Sequence, residues 1–226
     1  MANDRISYVK FITPRVTAVY PHLNKADDKF GEPVFKVNGR AQADAFAPMV
    51  GAIEDMLEKL SKADPVMLAL LPEKDRAKFA IAVKAKKAKP ADPAYIQETD
   101  AEGNELGTTV LKFKKNGSFK DKTGAKQLTK LPLFDSKKNP VTAPIWGGSI
   151  VVVAGHYMPW VSAKNEYGVK LAMDAVQVIE LKSGGSGGTA DSYGFGEEED
   201  GWAQPEATAA AGTDTLAADV DSADDF

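Results

Sequence analysis

There is no cysteine among these 226 residues, so neither a disulfide framework nor a thiolate metal site can form. Histidine is nearly absent as well, with His22 and His156 the only imidazoles. Zinc chemistry and Ser-His or Cys-His catalysis therefore lack their usual parts, and neither an enzymatic activity nor a cofactor or metal is expected. No apolar run reaches the roughly 18 residues of a membrane helix, so no membrane contact is expected. The opening "MANDRISYVKFITPRV" has no apolar signal-peptide segment and reads as cytosolic. One further absence is local: residues 183–226 contain no lysine or arginine.

That last absence splits the chain electrically. All 28 Lys and Arg lie in residues 1–182 beside 21 acids, a net charge of +7, and residues 183–226 carry the other 11 acids, a net charge of −11. A basic body joined to an acidic tail can attract a polyanion, while the tail competes for the same surface. The border is "SGGSGG" at 183–188, a flexible coil by composition. The segment after it holds few branched apolar residues, too few to offset the entropy of ordering, and is expected to be disordered. The expected organisation is a domain at 1–182 and an acidic tail at 183–226. Residues 185–190 fit the pattern G-x-G-x-x-A, but no βαβ unit surrounds them.

The body reads mainly as strands. "ISYVKFITPRVTAVY" (6–20) is rich in β-branched and aromatic residues and is broken at Pro14. In "PVFKVNGR" (33–40), Phe35 and Val37 face one way, Lys36 and Arg40 the other. "TTVLKFKK" (108–115) puts Leu111 and Phe113 opposite Lys112 and Lys114. "LTKLPLFD" (128–135), "SIVVVAGHYM" (149–158) and "YGVKLAMDAVQVIEL" (167–181) follow, with turn signals at Asn116-Gly117 and Gly147-Gly148. From Asp44 to Lys62 the spacing of Phe46, Val50, Ile53, Leu57 and Leu60 predicts a helix. Met49 and Met56 widen its stripe, and Pro48 falls in its first turn. A shorter helix is expected at 73–83, and then a long exposed loop, "KAKKAKPADPAYIQETDAEGNELG". Short antiparallel strands with an inserted helix fit a mainly β architecture. The expectation is a five-stranded antiparallel, partly open barrel of the oligonucleotide/oligosaccharide-binding (OB) kind, although composition alone does not choose it over other barrels.

Cations are concentrated in one stretch. Residues 112–138 hold nine lysines against two acids, Asp121 and Asp135, with Phe113, Phe119 and Phe134 interleaved. Lys84, Lys86, Lys87 and Lys89 form a second group. Single strands of nucleic acid are held by cations on phosphates and aromatic faces under bases; a solvated hairpin kept soluble by charge would look similar. Phe35, Phe113 and Phe134 are expected to point inward. Tyr157, Trp160 and Tyr167 flank a polar turn, where Trp160 is either a stacking platform or part of the core. His156 reads as a satisfied sheet histidine.

The order "GTTVLKFK…GSFKDKTGAKQ…LPLFDSKKNPV…PIWGGSIVVVAGHYMPW…GVKLAMDAVQVIEL…EEEDGWA…DDF" resembles the single-stranded DNA-binding proteins of tailed bacteriophages. The resemblance is clearest over 107–181 and the tail. It implies an OB-fold protein of phage replication and recombination, in the cytoplasm of the infected host, that coats single-stranded DNA without sequence preference and anneals complementary strands. It also implies a tail that contacts the phage polymerase and helicase/primase and occupies the DNA groove when DNA is absent, and it allows a homodimer. The candidate DNA contacts are Lys36, Arg40, Lys112, Lys114, Lys115, Phe119, Lys120, Lys130, Tyr157, Trp160 and Tyr167. The candidate partner contacts are Asp221, Asp224, Asp225 and Phe226, the aspartates standing in for phosphates and the phenylalanine for a base or a pocket-filling anchor. Two other readings are an interaction or scaffold protein acting through its tail and a metal-dependent nuclease. For the nuclease, no carboxylate cluster has a recognisable ligand spacing.

Overall fold

The computed structural model describes residues 7–29, 31–121 and 123–182. Of two units, Met1–Gly184 and Gly185–Phe226, the second lies outside the described residues, as do Asp221, Asp224, Asp225 and Phe226.

Eleven strands and three helices follow one another among the described residues. They are β1 (Lys10–Ile12), β2 (Val16–Asp27), β3 (Val34–Gln42), α1 (Ala43–Ser61), α2 (Pro65–Ala69), α3 (Glu73–Lys84), β4 (Lys89–Pro90) and β5 (Tyr95–Thr99). After these come β6 (Glu105–Asn116), β7 (Ser118–Lys120), β8 (Lys126–Leu128), β9 (Leu133–Phe134), β10 (Ile150–Val161) and β11 (Glu166–Glu180). Five of the strands close a ring, β2–β3–β6–β11–β10 and back to β2, and this is the OB barrel. The ring is not wholly antiparallel, because β6 and β11 run parallel through Leu171↔Phe113 and Ala172↔Lys114. An odd-numbered ring needs at least one such pair. The seams are short: β2 meets β10 only at Ile150↔Thr17 and Val151↔Val16.

Strand alternation fills the interior. Val16, Ala18, Leu23, Phe35, Val37, Leu111, Phe113, Val151, Val153, Leu171 and Met173 are buried at alternate positions along the five barrel strands. Phe134, expected inward, is only half-buried. Its ring lines an outer apolar hollow with Ile12, Val152 and Ala154.

The first long strand breaks where Pro14 predicts. Thr13 bridges the break: its amide donates to the Val153 carbonyl at 3.0 Å, and its hydroxyl accepts from the Val153 amide at 2.9 Å. Strand β2 then runs beyond Tyr20, through a register irregularity between Val19 and His22. Tyr20 itself has φ of 50° and is 78% exposed. A bulge of this kind lets a strand continue past a proline.

Helix α1 packs on β3, β6 and β11. Its buried face is Phe46, Met49, Ile53, Met56 and Leu60, so the stripe is centred on the methionines, and Val50 and Leu57 lie at its margin. Each fully buried side chain of this size stabilises by about 1.5–3 kcal/mol before entropy is counted. Pro48 sits in the second turn rather than the first. The short helix α2 was not foreseen, although Asp64 caps it by accepting from the Val66 amide at 2.9 Å, ahead of Pro65. The expected long loop is largely a hairpin: β5 pairs with β6 from Tyr95↔Leu111 to Thr99↔Glu105, and Asp100 organises its turn by accepting from the Asn104 amide at 2.7 Å. The expected strand at 128–135 is divided between β8 and β9, and β8 pairs only with β7.

Gly155 sits where β10 and β11 shift register, and a Cβ there would lie 2.1 Å from the Ala172 carbonyl oxygen and 2.8 Å from the Phe11 ring. Neither neighbour can withdraw without breaking the sheet or the core. Gly155→Ala is expected to cost at least about 3 kcal/mol or to prevent folding. Gly51→Ala, on the exposed side of α1 with nothing within 4 Å of the added methyl, is expected to stabilise by about 0.5–1 kcal/mol. Chemical denaturation of the two variants checks both signs.

Candidate nucleic-acid interface

The pleat that turns Leu111 and Phe113 inward turns Lys112 and Lys114 outward. Register carries that outer face across neighbouring strands. Lys36 and Asn38 of β3 stand beside Lys114 and Lys112, and Ala172 of β11 stands beside Lys114 on the other side. Across the next pairing Lys170 faces Met158, Ala172 faces His156, and Gly168 faces Trp160. Lys36, Lys112, Lys114, Lys170, His156, Met158 and Trp160 thus occupy one outer surface of the barrel.

The cations on this surface fall into two groups. Lys36 is held by Asp27, and the lysine hydrogen bond, followed by the Lys29 amide, keeps the Asp27 carboxyl below its usual pKa. Arg40 is held by Glu98 at 2.6 Å, whose second oxygen accepts from the Thr108 hydroxyl at 2.8 Å. Lys112, Lys114 and Lys170, by contrast, make no ion pair with any acid among the described residues. Lys170 is half-buried; loss of hydration, and then the charge of Lys114, push its ammonium pKa below the usual lysine range.

The aromatics divide by strand parity. Trp160 is half-buried, with its indole lying on Gly168: a Cβ on that glycine would come within 2.9 Å of three ring atoms. His156, beyond Met158 on the same face, stacks on Tyr8 with centroids 5.1 Å apart and planes 16° apart, and its Nδ1 lies 3.1 Å from Asp174 Oδ2. Tyr157 and Tyr167 do not join them. Tyr157 is turned inward, edge-on to Phe11 at 5.1 Å, and its phenol pKa is raised by burial. Tyr167 is buried against Phe79 at 5.6 Å. Both rings are part of the core, so neither offers a face to a base.

The remaining expected contacts lie elsewhere. Lys115 pairs with Phe35 and so points to the opposite side of β6 from Lys114. Phe119 and Lys120 sit on the separate β7–β8 hairpin, with Phe119 54% exposed. There Lys126 binds Glu32 at 2.8 Å. The hairpin turn is pinned by Asp121, whose carboxylate accepts from Thr123, Ala125 and Gln127, bonds that pull its pKa down to about 2. Lys130 lines a groove of about 540 Å³ with Lys25, Phe35, Leu128 and Leu131. Lys170, Met158 and Tyr8 were missed from sequence. Lys170 carried a signal, as the only charge in the apolar run "YGVKLAM". Among the described residues no group of three or more His, Cys, Asp or Glu could hold a metal ion, and no helix is long and apolar enough to cross a membrane.

A family profile described as "Single-stranded DNA-binding protein, Bacteriophage T7" matches residues 16–181. The crystal structure of gp2.5, a single-stranded DNA-binding protein encoded by bacteriophage T7, is similar with a TM-score of 0.62 at 25% identity, over 88% of this chain and 100% of that one. The single-stranded DNA-binding protein from bacteriophage Enc34 is similar at 16% identity and a TM-score of 0.47, over 81% of this chain and 89% of that one. The Enc34 protein in complex with single-stranded DNA gives 17% identity and a TM-score of 0.48, over 77% and 88%. No curated protein matches the chain by sequence.

The contact between Trp160 and Gly168 can be tested without any ligand. In a background carrying Trp146→Phe and Trp202→Phe, Gly168→Ala is expected to lift the indole from its seat. The emission of Trp160 should shift to the red, with a loss of about 1–3 kcal/mol in stability. Unchanged emission and melting would show that the ring rests elsewhere.

Proposed function

Because the chain belongs to the bacteriophage T7 single-stranded DNA-binding protein family, we propose that the outer face of β3, β6, β10 and β11 holds single-stranded DNA without base preference. The observation that carries this reading is the set of cations unpaired among the described residues, Lys112, Lys114 and Lys170, on the same face as the half-exposed indole of Trp160. Phosphates neutralise the lysines, and a base stacks on the indole, an interaction that tolerates any sequence because every base has a π-face. Lys36 and Arg40 contribute after exchanging their carboxylates for phosphates, and the hairpin with Phe119 and Lys120 extends the contact. In the same reading residues 183–226, through Asp221, Asp224, Asp225 and Phe226, recruit the phage polymerase and helicase/primase. The protein works in replication and recombination in the host cytoplasm, where a homodimer would present two such faces.

Salt titration tests the face. If the three unpaired lysines each neutralise one phosphate, log K against log[salt] slopes near −2, at about −0.7 per contact for single strands. The slope should be the same for oligonucleotides of different sequence, and Lys112→Ala with Lys114→Ala should flatten it by about 1.4. A flat response in the wild type, or one strongly preferred sequence, would overturn the reading.

The tail makes a separate expectation. Removing residues 183–226 takes away 11 acids and no base, so binding at low salt should tighten, and the gain should shrink as salt screens both anions. Phe226→Ala keeps every acid and should leave DNA affinity close to wild type, while calorimetry against the polymerase or helicase of the same phage should show most of the binding lost. Equal partner binding by wild type and Phe226→Ala would remove the role given to the final phenylalanine.

A further inference from the structure

A half-buried lysine without a carboxylate partner is costly, and among the described residues Lys170 is in that position. Its neighbours add to the cost. From β6 it is approached by Lys114, another cation. From β10 the neighbours on the same face are Met158, His156 and Trp160, and His156 is already bound to Asp174. From β3 the charged groups are Lys36 and Arg40, whose acids Asp27 and Glu98 are occupied by them. Among the described residues no ion pair joins Lys170 to a carboxylate; on its own strand Glu166 accepts from the Ser162 hydroxyl, and Met158 across the pair shows that an apolar side chain fits the surface. A charge kept at such a place marks a site where an outside anion completes the pairing.

We propose that Lys170 is a phosphate contact whose ammonium is completed by a proton taken up from solvent as single-stranded DNA binds. The inference rests on the reading above, in which DNA lies on this face. In the free protein, desolvation and then the charge of Lys114 lower the ammonium pKa, so the proton is held less tightly than on an exposed lysine. In the complex the phosphate oxygen accepts from the ammonium and holds the proton, and no covalent bond changes. Below the free-state pKa the lysine is charged in both states and pH has no effect through it. Between the lowered free-state value and the higher value in the complex, binding takes up a proton, so affinity falls as pH rises through that window.

The experiment measures affinity of the full chain for an oligodeoxycytidylate longer than the ~4–16 nucleotides an OB fold covers, from about pH 7 to about pH 9.5, where cytosine does not titrate. Calorimetry in buffers of different ionisation enthalpy counts the protons. Wild type should lose affinity toward high pH with measurable proton uptake. Lys170→Arg, charged throughout because guanidinium has a pKa above about 12, should bind well with a flatter profile and less uptake. Lys170→Met should weaken binding about five- to tenfold near pH 7 and lower the salt slope by about 0.7, while melting at the same temperature as wild type or higher. A purely structural lysine would instead give a lower melting temperature. Wild-type proton uptake unchanged in Lys170→Arg overturns the inference, as does undiminished affinity in Lys170→Met. If Lys112→Ala weakens binding while both Lys170 variants behave as wild type, the DNA face stands and this inference alone fails. If Lys112→Ala and Lys170→Met both leave affinity intact, the reading of the face fails with it.

Discussion

The pairing of β10 with β11 decides what this surface presents. It is the longest ladder in the barrel, running from Ile150↔Glu180 to Val161↔Tyr167, and it changes register twice, first between Ile150 and Val151 and again at Gly155. The backbone of Ala172 presses against the place where a side chain would begin, so only glycine satisfies the crossing. Because a strand shows alternate residues to opposite sides, a slip of one residue would bring Tyr157 out and bury Trp160, and would exchange Lys170 for Leu171. The chemistry of the outer face therefore depends on a backbone contact inside the sheet, made by a residue with no chemistry of its own.

The charges on that face are arranged for exchange as well as attraction. Lys36 and Arg40 sit with carboxylates already beside them. Exposed pairs of this kind contribute little, typically about 0–1 kcal/mol, and can be given up to a polyanion. Among the described residues Lys112, Lys114 and Lys170 have no such partner, and Lys114 bears on Lys170 instead. Repulsion between Lys114 and Lys170 and partial desolvation make the free surface less stable than a neutral one would be, and a bound polyanion would relieve both. The destabilisation is confined to a few residues on a barrel whose interior is mainly apolar.

Much of this was legible in particular residues. "TTVLKFKK" shows which lysines face out, since Leu111 and Phe113 must face in. The helix of α1 was visible in its apolar spacing, and only the centre of the stripe moved, toward Met49 and Met56. Parity could also have separated the aromatics, because Tyr157 and Trp160 are three residues apart on one strand and cannot share a face. The pairing of Arg40 with Glu98 could not be read, since 58 residues separate them and the hairpin that brings Glu98 close looked like loop. The isolation of Lys170 was hidden for the same reason: being without a partner depends on every strand that packs around it.

The strand order has a consequence for how the protein is made. The outer face draws on β3, β6, β10 and β11, and its middle, between Lys114 and Ala172, is joined by a parallel pairing that spans the whole β7–β10 segment. Such non-local pairings form late and slowly, because the intervening chain must be closed before they are rewarded. On the ribosome, β11 emerges after every other strand of the barrel. Until it does, the lysines of β6 belong to an open sheet and the ring has no closing member. A nascent chain thus carries most of the positive charge of the body before it has the surface that organises that charge, and the finished outer face appears only with the last strand.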